Sequence, residues 1–263
     1  MSSLELISLA VDFGGNPRHA AVLADEAVRV AVSIGDQRLI AQATTQRLAL
    51  RFHTVPGAAA DEFAAKLLDA IKVFAERGDE YGQALAWRPI GWVRQVEGRF
   101  AYSVIALDRA CEHARQAPHE REEALATAML SLFLLDGPTA VDDAIRRCNE
   151  LLTGARRQAF GGSGINSTVA QLRAMADFDG ARALIEVGWE TLGVTGDVHA
   201  AYQGVAISGK IELLAGDPVA AERSLRVGFE RLSAMGDTTW TAQIAARLAE
   251  AVVLPIESTK RSS

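Results

Sequence analysis

The chain has 263 residues, of which 49% are hydrophobic but only 6% aromatic, and it carries a net charge of −6. That balance, with no cluster of Lys and Arg long enough to track a phosphate backbone, argues against nucleic acid as a partner. Cys111 and Cys148 are the only cysteines and lack Cys-x-x-Cys spacing, which argues against a disulfide framework or a zinc cluster. No apolar run approaches the roughly 20 residues of a membrane span, and the N-terminus has no signal-peptide pattern, so the expected setting is the cytoplasm, with no membrane partner.

In chain order, Ser2 to Val11 is a short apolar segment that reads as the second half of a longer element or as a helix covering the first hairpin. Pro17 stands at a first helical position behind a capping Asn16, and Ala20, Ala24, Ala27, Val28 and Ala31 then mark one helix face. A helix from about Gln37 to Phe52 follows. The next has Phe63, Leu67, Leu68, Ile71 and Phe74 on one side and stops at Gly78-Asp79. In that pair the glycine suits a left-handed helix end and the aspartate the cap of the next helix. Gly-Asp recurs at 35, 196, 216 and 236, so each occurrence predicts a turn between two antiparallel helices. Pro89 predicts a kink or break. Pro118 separates two helices, and Asp142 follows Thr139 as an acidic relative of the capping box. The stretch from Gly154 to Gly164 is the least regular of the interior. After Leu254-Pro255, residues 258–263 read as a disordered tail.

Two stretches repeat each other. Laying Ala181 to Asp197 over Ala221 to Asp237 gives one offset of 40 residues, with Ala, Val, Gly, Glu, Leu, Gly and Asp identical and Trp189 against Phe229 conservative. Such periodicity is the mark of a helical repeat. Trp87-x-x-Ile90-Gly91 with Leu107-x-x-Ala110, and Val205, Gly209, Ala221, Leu225 and Gly228 at matching intervals, resemble the tetratricopeptide-repeat pattern. There, small residues let paired helices approach and larger ones fill between pairs. Arg94 and Glu212 stand where that pattern has an aromatic, and Ser103 where it has alanine. The expected fold is therefore all-α: antiparallel helix pairs over residues 1–257, stacked as a TPR-like right-handed α-solenoid.

The order of motifs, from Gly78-Asp-Glu-x-Gly82 and Ala86-Trp87-Arg88 through Gly137-Pro-Thr139, Phe178-Asp-Gly-Ala-Arg182 and Glu212-Leu-Leu-Ala-Gly-Asp217, resembles a particular family region. It is similar to the C-terminal tetratricopeptide-like part of bacterial signalling proteins that join a class III nucleotide cyclase or transcription-factor domain to an AAA-like or STAND-type ATPase. The resemblance implies a scaffold role and no catalysis, since no Gly-x-x-x-x-Gly-Lys-[Ser/Thr] is present. It also implies an array cut at both ends, and so self-association through an end helix.

Signals for chemistry are weak beside structural readings of the same residues. Gly161-Gly-Ser-Gly164 has no P-loop lysine and reads as a loop and cap. Cys111 and His113 are two apart on one helix and point about 200° apart, so they do not share an ion. Asp142-Asp143, Glu120 and Glu122-Glu123 lie in first turns, where carboxylates complement the helix dipole. No catalytic residue, metal or cofactor is assigned.

The expected binding site is a groove lined by the first helix of each pair. Counting back from the turns selects Leu85, Arg88, Trp92 and Gln95, then Ser163, Asn166, Ala170 and Arg173, then Gln203, Ala206, Lys210 and Leu213. The stripe holds Arg88, Arg173 and Lys210 and no acid, which points to a protein or an acidic peptide with Trp92 as anchor. The function so read is a non-catalytic scaffold for protein or peptide binding. The competing reading is a small-molecule sensor or hydrolase-type enzyme, with Trp87, Arg88, Trp92, Tyr102, His113 and His119 around a pocket between helix pairs.

Overall fold

The computed structural model describes residues 17–54, 60–155, 159–173, 177–195, 198–235 and 239–261. The segment Ser2 to Val11 and the turns Gly196-Asp197 and Gly236-Asp237 lie outside them. Twelve helices are described: α1 Pro17–Ile34, α2 Gln37–Thr54, α3 Ala60–Ala75, α4 Glu80–Val96, α5 Phe100–Gln116, α6 Glu120–Asp136, α7 Val141–Ala155, α8 Ala159–Arg173, α9 Phe178–Thr195, α10 Val198–Leu214, α11 Pro218–Met235 and α12 Thr239–Arg261. No strand occurs among the described residues.

The turns follow the Gly-Asp logic. Gly35, Gly78 and Gly216 all have φ between 62° and 79°, a region closed to most side chains, and each ends its helix without a Cβ to strain. The following aspartate then caps: Asp36 Oδ1 accepts from Arg38 N and Leu39 N, Asp79 Oδ1 from Gly82 N at 2.9 Å, and Asp217 Oδ1 from Ala220 N at 2.9 Å.

Three local expectations are corrected. α4 does not break at Pro89 but continues through it, the proline ring having no N–H to offer the Leu85 carbonyl. Gly161 to Gly164 belong to the first half of α8 and not to a loop. α12 continues past Leu254-Pro255 to Arg261, over most of the segment expected to be a tail.

The helices alternate between two environments. Between Leu39 and Leu50 on α2, Gly82 and Gln95 on α4, Arg121 and Leu135 on α6, Ile165 and Leu172 on α8, and Val205 and Leu213 on α10, no described residue is exposed. The odd-numbered helices have a buried stripe and an exposed one, as amphipathic surface helices do. Contacts agree. α2, α4, α6, α8, α10 and α12 each touch the next in that series, whereas α3, α5, α7, α9 and α11 pack chiefly on their sequence neighbours. α12 also reaches α2. The even-numbered helices thus form an inner row and the odd-numbered ones an outer row.

One packing unit recurs. In α4/α5 a methyl group placed on Gly91 would come within 2.8 Å of Leu107 Cγ; in α10/α11 one placed on Gly209 would overlap Leu225. In each hairpin the glycine admits a leucine sixteen residues later, and both leucines are fully buried.

Candidate functional site

A cluster of polar and aromatic side chains lies along the seam between α4 and α6. Asp79 fixes where α4 begins, and Gly82 seats that first turn against the ring of Phe74. From there Tyr81, Arg88 and Trp92 fall on one face, at helical spacings of seven and four. α6 answers with His119, Glu122, Met129 and Phe133. His119 is the N-cap, its Nδ1 accepting from Glu122 N at 3.3 Å, and its ring stacks on Tyr81 with centroids 4.4 Å apart.

Two turns further into α4, the Arg88 guanidinium donates to both Glu122 carboxylate oxygens, through Nε at 2.7 Å and Nη2 at 3.3 Å. The two side chains are only 11% and 2% exposed. A bidentate arginine–carboxylate pair so buried offsets the desolvation of two charges only while both partners are present. Beyond it, Trp92 Nε1 donates to Met129 Sδ at 3.2 Å, and its ring meets Phe133 edge-on at 5.2 Å and Phe52 at 6.5 Å. Phe52, Trp92 and Phe133 therefore form an aromatic ladder across α2, α4 and α6. Ser131 and Thr168 continue the row from α6 to α8 with a hydroxyl pair at 3.3 Å.

The expected groove is corrected on α4. Leu85, Arg88 and Trp92 are buried; Arg88 and Trp92 face the next inner helix, because the count from Gly98 selects the helix face that a parallel neighbour covers. The acid missing from the stripe is supplied by Glu122. Gln95, Asn166, Lys210 and Leu213 are half-buried and Arg173 is exposed, so these described residues are the parts of the stripe that reach the surface. The side chain of Gln203 lies outside the described ones.

Of the residues of the pocket reading, Arg88, Trp92 and His119 lie along this seam, whereas His113, Tyr102 and Trp87 are engaged elsewhere. His113 Nδ1 lies 2.6 Å from Glu80 Oε2 and ties α5 to α4. Tyr102 is exposed, with Arg99 over its ring at 4.5 Å, while Trp87 carries Arg109 on its ring at 4.6 Å. Cys111 faces Thr127, and burial pushes its thiol up to about 12; burial likewise raises Cys148 to about 11. Both thiols stay protonated at neutral pH and are poor nucleophiles. Among the described residues no group of three His, Cys, Asp or Glu is placed to hold a metal ion.

Three further ion pairs cross between elements. Arg182 grips both oxygens of Glu212, through Nε at 2.9 Å and Nη2 at 2.7 Å, joining α9 to α10. Arg147 bonds Asp108 between α7 and α5, and Arg38 bonds Asp79 at the start of α4. Arg94 pairs with Glu97 at 2.7 Å at the end of α4. Both departures from the repeat pattern's aromatic, Arg94 and Glu212, thus serve as ion-pair members. Ser103 departs to a purpose too: its hydroxyl donates to the Gly91 carbonyl at 2.8 Å, stitching α5 to α4.

Sequence reading missed Glu122, taking it as a first-turn acid like its neighbours. The signal was an opposite charge 34 residues from Arg88, on the helix after next. Arg88 and Glu122 meet because these two helices touch.

No protein-family model matches the chain, and no curated protein matches it. Among the described residues no helix is long and apolar enough to cross a membrane.

Proposed function

We propose that the chain is a non-catalytic helical-repeat scaffold that binds a protein or peptide, a regulatory module of the kind found beside an ATPase or nucleotide cyclase in bacterial signalling proteins. The observation that carries this reading is the packing unit shared by α4/α5 and α10/α11. The same Gly-to-Leu contact at the same spacing is what a repeat array requires. Arrays of this type present long, rigid surfaces, and the side-chain ties between helices supply the rigidity. In the solenoid reading the accessible remainder of the groove is Gln95, Asn166, Arg173, Lys210 and Leu213.

A thermal-shift comparison tests it, because a ligand that binds only the folded chain raises its apparent stability. Nucleotides, divalent metals and small anions are expected to leave the melting temperature in place, whereas members of a short-peptide set raise it. A small molecule that shifts the melting temperature, or turnover of a generic ester or phosphate substrate, overturns the reading.

A further inference from the structure

The outer face of α5 carries a patch that the buried seam does not use. Tyr102, Ile105 and Arg109 follow at spacings of three and four and share one side of the helix. Tyr102 is 56% and Ile105 50% exposed, and Arg109 is exposed as well. Single exposed apolar residues are ordinary on any surface. Here, however, two guanidinium groups lie on two aromatic rings, Arg99 on Tyr102 and Arg109 on Trp87. Stacking of this kind fixes the orientation of an arginine while its N–H edge remains open to a carboxylate.

The charges on this face are unequal in their compensation. Arg99 shares Glu97 with Arg94, at 3.8 Å and 2.7 Å respectively. Arg109 pairs with no carboxylate among the described residues, although Glu112 lies three residues further along α5. A planar cation without a counter-ion, beside an exposed tyrosine and isoleucine, has the composition of an interface anchor.

We infer that this face of α5 docks an acidic peptide segment, a carboxylate taking the open edge of Arg109 and an apolar side chain lying against Tyr102 and Ile105. The assignment rests on the scaffold reading and gives it a site on an outer helix, away from the groove. A nucleic acid fits less well: the patch offers only the guanidinium groups of Arg99 and Arg109, and binding of a phosphate backbone grows with the number of cations neutralising it.

The test measures fluorescence anisotropy of labelled short peptides with the full chain: an acid-rich peptide with one leucine, the same peptide with lysine at each acidic position, and oligothymidylate as a phosphate control. The acid-rich peptide is expected to bind and the lysine peptide not. Arg109→Glu and Tyr102→Ala should each weaken binding at least about tenfold, or about 1.4 kcal/mol, with unchanged far-UV circular dichroism. Equal binding by wild type and both variants overturns the site while leaving the scaffold reading in place. Failure of the wild type to bind peptides of either charge overturns both. Tighter binding of oligothymidylate than of the acid-rich peptide overturns the choice of partner.

Discussion

The hairpins α4/α5 and α10/α11 are built on one plan and anchored in two ways. Both set a leucine of the second helix into a glycine of the first, at Gly91–Leu107 and Gly209–Leu225. α4/α5 is then fastened to the following inner helix by a buried pair, Arg88–Glu122, and stitched internally by Ser103. α10/α11 is fastened to the preceding helix by Arg182–Glu212, whose arginine is well exposed, and has Ala221 where α5 has Ser103. Backbone approach is thus common to both, while the polar anchoring is local to each. The glycine–leucine approach sets where the paired helices come close, and the residues that differ between the two hairpins decide which neighbour each grips.

The largest test of that difference is to remove each acid in turn. Glu122→Ala leaves Arg88 charged and unpaired in the interior and should cost about 3–5 kcal/mol in urea denaturation. Glu212→Ala leaves an arginine that water can reach, and its cost should be plainly smaller. Equal losses would erase the contrast.

The shared element should behave alike in both hairpins. Gly91→Ala and Gly209→Ala each push a methyl group into a buried leucine, and overpacking of this kind costs about 1–3 kcal/mol. Helix propensity opposes it by up to about 1 kcal/mol in alanine's favour, so a net loss in both variants identifies the close approach as the reason for glycine.

Alkaline pH separates the hairpins again, because Cys111 lies on α5 and the second hairpin has no cysteine. Its thiol, with an ordinary value of 9.0, is raised to about 12 by burial. Below pH 9 both folded and unfolded thiols are protonated and the group contributes no pH dependence. Above it the unfolded thiol ionises first, so stability falls by about 1.4 kcal/mol per pH unit until the folded thiol also ionises. Cys111→Ala should show a shallower decline between pH 9 and 10.5 than wild type.

The smallest effect is expected at the stitch. Ser103→Ala removes one side-chain hydrogen bond to the Gly91 carbonyl and should cost about 1 kcal/mol. If it costs nothing, Ser103 is no more than the alanine of the other hairpin.

Much of the fold was legible because punctuation and periodicity are local. Gly35-Asp36, Gly78-Asp79 and Gly216-Asp217 state turn chemistry in two residues, and the outer helices show it in single-face stripes such as Phe63, Leu67 and Phe74. The inner helices hid their role. α2 and α6 are covered on all sides, so their apolar residues have no preferred face and no simple period. That is why Arg88 and Trp92 were placed on an open groove: a stripe count finds one face of a helix but not what covers it. Gly161 to Gly164 misled for the opposite reason, since their local preference for a loop is outweighed in α8 by its tertiary setting.

The central claim is that Arg88 belongs to a structural seam and not to a binding groove, and a double-mutant cycle tests it most directly. Arg88→Met and Glu122→Leu singly each strand a buried charge; together they replace the pair with apolar groups of similar bulk. The expected result is that each single variant loses several kcal/mol and the double variant recovers most of it. Additive losses, or negligible losses with peptide binding abolished by Arg88→Met, would contradict it.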